Sequence, residues 1–355
     1  MTNARRSALL LGLTLFLAAC GMPVEEEGVA TPEPAQGVTI VRPTPGAPAA
    51  TIEPATPSQG DLPTCYQPTA EPVDPEATPV EPSQRIAGPG PVPTPSHYDP
   101  LPLHEAADLE ARLRDVLGDD VDAYGIVVKS LEDGRGAVIN PDKVFYAASL
   151  FKVTVLYEVF HQRALGLLDF QEELLVTPYY ASFDLGTLPV AVCGTISIEQ
   201  ALHAMTAFSD NTSAVLLQDR AGSANVNASM EALGLTTTRL LTEDLPTTAA
   251  DMALLMEMIA RGQAVDEDSS QEMVNLLAGE ELDNGLRAGV PEETLVAHKT
   301  GNWSNATHDA GIVYAPGATY VIAILSEKAY ETVLTAKLSA AVFEYYTGAA
   351  GGGGG

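Results

Sequence analysis

Composition changes abruptly near residue 102, and this break limits where the chain can build a core. Residues 21–102 hold most of the 26 prolines, are rich in Thr, Glu, Gly and Ala, and show almost no hydrophobic periodicity. Such a segment buries too little apolar surface to offset the entropy of ordering it, so we expect a disordered tether over 21–102. Hydrophobic patterning begins at Leu103. The sequence therefore predicts one folded domain over 103–347 and a flexible tail over 348–355.

The first twenty residues have the pattern of an export signal. Arg5 and Arg6 precede an apolar run that is too short to span a bilayer, and Leu17-Ala18-Ala19-Cys20 follows it. This ending resembles bacterial lipoprotein signals, which implies that 1–20 is a signal peptide and that Cys20 carries lipid. An ordinary cleaved signal is the alternative. We expect an exported protein, anchored to the outer face of the cell membrane or periplasmic.

The charge of the chain limits which partners it can bind, and its cysteines bear on whether it forms a disulfide. The chain has 47 Asp and Glu against 18 Lys and Arg, a formal net charge of −29, which disfavours nucleic acid as a partner. We expect a monomer that meets the membrane only through Cys20. The remaining cysteines, Cys65 and Cys193, are an even number in a compartment that permits disulfides, so a bond between them is a hypothesis.

Hydrophobic periodicity predicts the order of helices and strands within the domain. The predicted elements are a helix from Leu103 to Leu117, strands at 121–129 and 136–139, helices within 149–275, strands near 295–298, 310–314 and 320–326, and a helix at 330–346. This order indicates an α/β sandwich whose first and last segments share one antiparallel sheet. We place the sheet part at about 103–148 and 276–347 and the helical part at about 149–275.

Three short motifs occur in order within this domain: Ser149-Leu150-Phe151-Lys152, Ser209-Asp210-Asn211 and Lys299-Thr300-Gly301. Together they resemble the motif set of penicillin-binding proteins and class A β-lactamases. The resemblance covers about 103–347. It implies a β-lactamase-like three-layer sandwich, with a five-stranded antiparallel sheet flanked by helices and an inserted all-helical subdomain.

The first motif supports nucleophilic catalysis on physical grounds as well. Ser149 and Lys152 lie three residues apart, so on a helix they share one face. Ser149 would lie at the helix N-terminus, where unpaired N–H groups favour developing negative charge. Apolar neighbours of Lys152 should lower its pKa and let it act as a base. For an isolated pair, an N-capping serine and a surface lysine would be the simpler interpretation, but the other two motifs favour catalysis.

The other two motifs receive their roles from the resemblance. It implies that the Ser209 hydroxyl relays a proton to the leaving nitrogen and that the Asn211 amide binds the side-chain amide of the substrate. It also implies that Lys299 and Thr300 bind the substrate carboxylate. Gly301 would let the substrate approach the strand edge closely. The backbone N–H groups of Ser149 and Asn302 would form the oxyanion hole.

The segment between Arg239 and Met252 departs from the family pattern. Class A β-lactamases have a longer loop there, with a Glu that activates the deacylating water. In this chain Glu243 is the only plausible general base, and the residues after it do not supply the Asn that the family pattern places nearby. Glu243 as a solvated loop acid is the alternative.

The sequence therefore predicts a serine hydrolase that forms an acyl-enzyme at Ser149, with hydrolysis of β-lactams as its activity. A peptidase acting on D-Ala-D-Ala cell-wall peptides, or a slowly deacylating penicillin-binding protein, is the second possibility. A catalytically degenerate module that binds cell-wall peptide is the third. The sequence implies no metal and no cofactor, because it lacks the motifs of metal and phosphate sites.

Overall fold

The computed structural model describes Cys65 and residues 85–241 and 244–348. The strands, in chain order, are β1 (His104–Glu105), β2 (Tyr124–Ser130), β3 (Arg135–Ile139), β4 (Phe145–Tyr146), β5 (Glu173–Leu175), β6 (Thr195–Ser197), β7 (Pro246–Thr247), β8 (Leu295–Trp303), β9 (Ala306–Ala315) and β10 (Ala318–Ser326). The α-helices are α1 (Ala107–Leu117), α2 (Phe151–Ala164), α3 (Pro178–Ala181), α4 (Ile198–Ala207), α5 (Asn211–Ala221), α6 (Ser223–Leu233), α7 (Ala249–Ala260), α8 (Glu267–Ala278) and α9 (Thr332–Thr347). Short 3₁₀ turns lie at Gly118–Ala123, Ala148–Leu150 and Arg287–Gly289.

The main sheet joins the two ends of the domain. Its strand order is β1-β3-β2-β10-β9-β8, and β3, β2, β10, β9 and β8 run antiparallel to one another. This confirms the expected five-stranded antiparallel sheet. The short strand β1 pairs with β3 in parallel. The first helix therefore begins at Ala107 rather than at Leu103.

Alternation along the strands directs side chains into two separate cores. In β10, Ile322 and Ile324 pack in the core on the side of α1 and α9, whereas Val321 and Ala323 pack in the core on the side of the helical part. Successive side chains of a strand point to opposite faces, and helices cover both faces, so both sets are apolar. The result is the three-layer arrangement that the family resemblance implies.

Helix α2 lies in the centre of the domain, as its apolar sequence predicts. Most of its residues are buried, including Glu158. The Glu158 carboxylate accepts hydrogen bonds from Ser229 Oγ at 2.6 Å and Gln162 Nε2 at 2.7 Å, which compensates for burying its charge. A helix held on all sides gives the residues at its start a fixed position.

Residues 85–102, which we call the strap, lie against the domain, so the prediction of a disordered tether is wrong for this part of 21–102. Ile86 N–H donates to the Tyr180 hydroxyl at 2.7 Å, and Val92 N–H donates to Asn225 Oδ1 at 3.2 Å. By composition alone, the segment can bury too little apolar surface to fold by itself. Here side chains of the domain satisfy its backbone, which no local pattern can indicate.

Tyr98 anchors the C-terminal end of the strap. The Tyr98 side chain is buried, and its hydroxyl donates to Glu257 Oε1 at 3.1 Å. Leu101 N–H donates to the same oxygen at 2.6 Å, and Lys129 forms an ion pair with Glu257. Gly134 has a φ of +73° and lies so close to Pro102 O that an added Cβ would be 2.1 Å from it. The strap is thus part of the folded domain.

A disulfide joins Cys65 to Cys193, with their Cα atoms 5.3 Å apart. This confirms the hypothesis that the two cysteines pair. Cys65 is remote in sequence from the helical part, and the bond fixes it there. Within the described residues, no helix is long and apolar enough to cross a membrane. The predicted signal peptide with Cys20, most of the tether before residue 85, and residues 349–355 of the tail lie outside the described residues.

Candidate active site

Ser149 lies in the 3₁₀ turn that runs directly into α2. The preceding residue, Ala148, has a φ of +46°, a left-handed conformation that non-glycine residues rarely adopt and that is often retained at functional sites. Ala148 and Leu150 are buried, whereas Ser149 is partly exposed. The turn therefore presents the Ser149 side chain at the surface of an otherwise buried helix, near the N-terminal end of the helix dipole.

Lys152 is almost completely buried and connects α2 to the second motif. Its Nζ donates to Ser209 Oγ at 3.0 Å and to Asn211 Oδ1 at 2.8 Å, and it also contacts the carbonyl oxygen of Ser209. Among the described residues, these acceptors rather than Ser149 Oγ receive its hydrogen bonds. Burial, and then the nearby Lys299 cation, lower the pKa of Lys152 to about 7. This lysine can therefore exchange a proton near neutral pH.

The second motif is held by Asp210. Its Oδ1 caps α5 by accepting from Ser213 N–H at 2.6 Å, and its Oδ2 accepts from Thr187 Oγ1 at 2.8 Å. Ser209, just before this cap, has a φ of +55°. The cap fixes the start of α5, while the unusual backbone at Ser209 directs both its carbonyl and its hydroxyl to Lys152. Asp210 thus has a structural role, and Ser209 is available for chemistry.

The third motif lies on β8 and is already paired with a carboxylate of the chain. Lys299 Nζ donates to Glu280 Oε1 at 2.6 Å and to Oε2 at 2.5 Å. Thr300 donates to the same group through its N–H at 3.1 Å and its Oγ1 at 3.0 Å. Burial lowers the pKa of Lys299, and the Glu280 carboxylate opposes that change. The donors predicted to bind a substrate carboxylate are thus engaged by Glu280.

Gly301 brings β8 against the turn that carries Ser149. A Cβ at this position would lie 3.0 Å from Ala147 O and 3.3 Å from both Leu150 N and Leu150 Cγ. From the sequence, Gly301 is expected to let a substrate approach the strand edge, but its close neighbours in the structure are atoms of the chain itself. Because Gly301 has no side chain, β8 can lie close to the Ser149 turn. This contact sets the spacing between the backbone N–H groups of Ser149 and Asn302, which are the predicted oxyanion-hole donors.

Glu243 lies outside the described residues, and its role remains a prediction. The described residues on either side of Glu243 are joined by hydrogen bonds. Arg239 N–H donates to Pro246 O at 3.2 Å, and Leu241 N–H donates to Asp244 O at 3.1 Å. Ala147 N–H donates to Leu245 O at 2.7 Å, so the loop returns beside the Ser149 turn. Leu245 therefore lies next to the turn that carries the candidate nucleophile.

The two histidines near the third motif have structural contacts. His308 Nε2 lies 2.8 Å from Tyr146 O, and Ser326 N–H donates to its Nδ1 at 3.1 Å, which requires the neutral ring protonated at Nε2. Burial lowers the pKa of His308 to about 4. His298 Nδ1 is paired with Asp309 at 2.8 Å. Across the described part of the chain, no group of three or more His, Cys, Asp or Glu side chains could hold a metal ion.

Two residues of this region are missing from the sequence prediction. Glu280 is one, because Glu280-Glu281 follows a helix and resembles an ordinary solvated pair. A carboxylate just past a helix C-terminus is unfavourable with the dipole, and this is the one signal that could have indicated a cationic partner. The other is Trp303, the chain's only tryptophan, which follows Asn302, is 55% exposed and lies with its ring 5.9 Å from that of Tyr146.

The model of the β-lactamase enzyme family matches residues 108–346, about the same range as the folded domain. The chain belongs to the β-lactamase enzyme family. Family membership is thus established over the part of the chain that holds all three motifs. A comparison with curated proteins finds no match.

Solved structures of this family have the same fold. PBP-A is 24% identical with a TM-score of 0.66, and the match covers 70% of this chain and 98% of that one. A β-lactamase from Sphaerobacter thermophilus is 20% identical, with a TM-score of 0.62 and coverage of 68% and 97%. An ancestral class A β-lactamase is 23% identical, with a TM-score of 0.61 and coverage of 67% and 100%. A variant of PBP-A has been captured as an acyl-enzyme complex with penicillin G.

Proposed function

We propose that this protein is a serine hydrolase that is acylated at Ser149 by the carbonyl carbon of a β-lactam and then hydrolyses the acyl-enzyme. The observation that carries the proposal is the position of Lys152. Its buried amine, three residues after Ser149 in the sequence, donates hydrogen bonds to Ser209 and Asn211 of the second motif. Membership of the β-lactamase enzyme family and the penicillin G acyl-enzyme of a PBP-A variant support the same chemistry.

The acylation step uses Ser149, Lys152 and Ser209. The Ser149 oxygen attacks the lactam carbonyl carbon, and neutral Lys152 accepts the hydroxyl proton. The carbon–nitrogen bond of the ring then breaks, and the Ser209 hydroxyl, 3.0 Å from Lys152 Nζ, passes a proton to the leaving nitrogen. Because the pKa of Lys152 is about 7, its proton-accepting and proton-donating forms are both populated near neutral pH.

Three further donors orient the substrate and stabilise the developing charge. The Asn211 side-chain oxygen accepts from Lys152, so its NH₂ group is the part that donates to a substrate amide. The N–H groups of Ser149 and Asn302 are the proposed donors to the oxyanion, and such donors typically contribute about 3–4 kcal/mol each in the transition state. Glu243 is the proposed base for the water that hydrolyses the acyl-enzyme.

A second candidate follows from the short loop at 239–247. If its compact hydrogen bonding keeps Glu243 from a water beside Ser149, deacylation is slow, and the protein acts as a penicillin-binding protein or as a peptidase on D-Ala-D-Ala peptides. In a third reading the cleft binds cell-wall peptide without catalysis. The first two candidates both predict acylation of Ser149. They differ in whether the acyl-enzyme of a β-lactam is hydrolysed in repeated turnovers.

The test follows a chromogenic cephalosporin, as free acid and as neutral ester, with wild type, Ser149→Ala, Glu243→Gln and the matched loop control Asp244→Asn. Covalent labelling and turnover are recorded together. We expect Ser149-dependent labelling, multiple turnovers, and loss of turnover in Glu243→Gln alone. Labelling without turnover in wild type favours the second candidate. If neither form labels the protein and a D-Ala-D-Ala peptide is also untouched, the non-catalytic reading remains.

We also propose that the protein is exported and anchored through lipid on Cys20, as a monomer. The disulfide between Cys65 and Cys193 supports an oxidising compartment. Mass spectrometry of the N-terminal peptide from cell membranes, compared with Cys20→Ser, tests the anchor. A mature chain that begins elsewhere and carries no lipid would contradict it. Light scattering of the released domain measures its oligomeric state.

A further inference from the structure

Glu280 occupies the place at which the family resemblance puts the carboxylate of a substrate. Both of its oxygens accept hydrogen bonds, two from Lys299 Nζ and two from the N–H and hydroxyl of Thr300. Four hydrogen bonds from three donor groups converge on one carboxylate, which is what a site for an anionic ligand provides. In this chain the carboxylate belongs to the protein.

The Glu280–Lys299 contact differs from an ordinary surface ion pair because both side chains are buried. The Glu280 and Lys299 side chains have no exposed area, whereas the next residue, Glu281, is exposed. Asp309 lies close enough to act on the charge of Lys299 as well. The surroundings of Lys299 thus hold more than one carboxylate before any substrate arrives, and an anionic substrate would meet no uncompensated positive charge there.

Glu280 is also coupled to the candidate base. Its charge and that of Lys299 both act on Lys152, in opposite senses, so the Glu280–Lys299 pair lies beside the reacting groups. A substrate carboxylate seated on Thr300 would have to displace the bonds from Thr300 to Glu280, or approach this carboxylate closely. Like charges brought together in a buried site disfavour the wrong ligand.

We propose that Glu280 is a specificity-determining residue that fills the anion subsite and selects acyl donors whose corresponding group is uncharged, such as esters or amides, over those with a free carboxylate. This inference rests on the proposed acylation of Ser149. It adds the class of substrate: a cyclic or linear amide that is neutral beside the bond to be broken.

The test compares the second-order rate constants for labelling of Ser149 by one β-lactam as free acid and as methyl ester. We expect wild type to react faster with the ester by about tenfold or more, because the acid meets a like charge. In Glu280→Gln the ratio of the acid rate to the ester rate should rise about tenfold, because any change in the proton affinity of Lys152 affects both reactions equally and cancels in the ratio. Glu281→Gln removes a neighbouring exposed charge and should keep the wild-type ratio.

Wild type that prefers the acid, or a Glu280→Gln variant with an unchanged ratio, would overturn the proposal and leave Glu280 as a structural partner of Lys299. The wild-type ratio is measured without any variant, so it decides the matter even if Glu280→Gln fails to fold. Trp303 fluorescence and the melting temperature report whether that variant is folded. If neither form labels Ser149 in any of these proteins, the proposed function itself fails, which is a different result.

Discussion

The amine of Lys152 connects the geometry of the site to a measurable pH dependence. Burial and the Lys299 cation lower its pKa to about 7, and only the deprotonated amine can accept the Ser149 proton. The rate constant for acylation should therefore rise as the pH increases through about 7 and then level off. Lys152→Arg keeps the charge but stays protonated, so we expect acylation to fall by about 10²–10⁴-fold. Stopped-flow labelling across that pH range measures both effects.

Lys337, which is exposed on α9, provides the control for this prediction. Lys337→Arg makes the same chemical change far from the three motifs and should leave the pH profile unaltered. Acylation that does not vary with pH, or that survives in Lys152→Arg, would exclude Lys152 as the proton acceptor.

Gly301 lies at the closest contact between β8 and the Ser149 turn. In Gly301→Ala the new Cβ would meet main-chain atoms at 3.0–3.3 Å, which cannot move aside as a flexible side chain can. The strand and the turn must separate, and we expect acylation to fall by about 10²-fold, the usual effect of losing one oxyanion-hole donor. Gly90→Ala is the control, because nothing lies within 4 Å of a Cβ there. Equal acylation rates in the two variants would refute this account.

At the scale of elements, the strap depends on one buried carboxylate. Glu257 accepts hydrogen bonds from Leu101 N–H and Tyr98 OH, and it is paired with Lys129. Removing its charge leaves Lys129 without its ion-pair partner, so Glu257→Gln should lower the free energy of unfolding by about 3–5 kcal/mol. Tyr98→Phe removes two hydrogen bonds, the one that its hydroxyl donates to Glu257 and the one that it accepts from Arg261, and should cost about 2 kcal/mol. Urea denaturation measures the loss of unfolding free energy in both variants. Equal losses would show that the charge of Glu257 does not contribute to the stability of the domain.

The sequence predicts those elements that depend on a local pattern of residues. It does not predict those that depend on contacts between distant parts of the chain. Helices α4 and α5, at 198–207 and 211–221, lie within the range 149–275 in which periodicity predicts helices. The motif residues follow from a resemblance that the family match supports. The strap does not follow, because its backbone is satisfied by side chains that lie 94 to 156 residues away in the sequence. Glu280 does not follow either, because only the folded chain brings it to Lys299.

At the scale of the whole molecule, the disulfide closes the longest covalent loop that the structure describes. Cys65 and Cys193 are 128 residues apart in sequence, and the loop includes the strap, β1 to β5 and α1 to α3. Cys193 also follows Thr187 on the segment that contacts Asp210. The bond therefore restricts the unfolded chain and, in the folded state, holds the N-terminal part of the described chain to the side of the second motif.

Replacing both cysteines tests this role without leaving a free thiol. Because a cross-link over a long loop mainly reduces the entropy of the unfolded chain, Cys65→Ser/Cys193→Ser should lose about 3–5 kcal/mol of unfolding free energy. Wild type treated with a reductant should unfold at the same urea concentration as the double variant, since both lack the same bond. If the oxidised, reduced and substituted proteins unfold together, the strap contacts alone hold this part of the chain, and the disulfide contributes nothing to the stability of the domain.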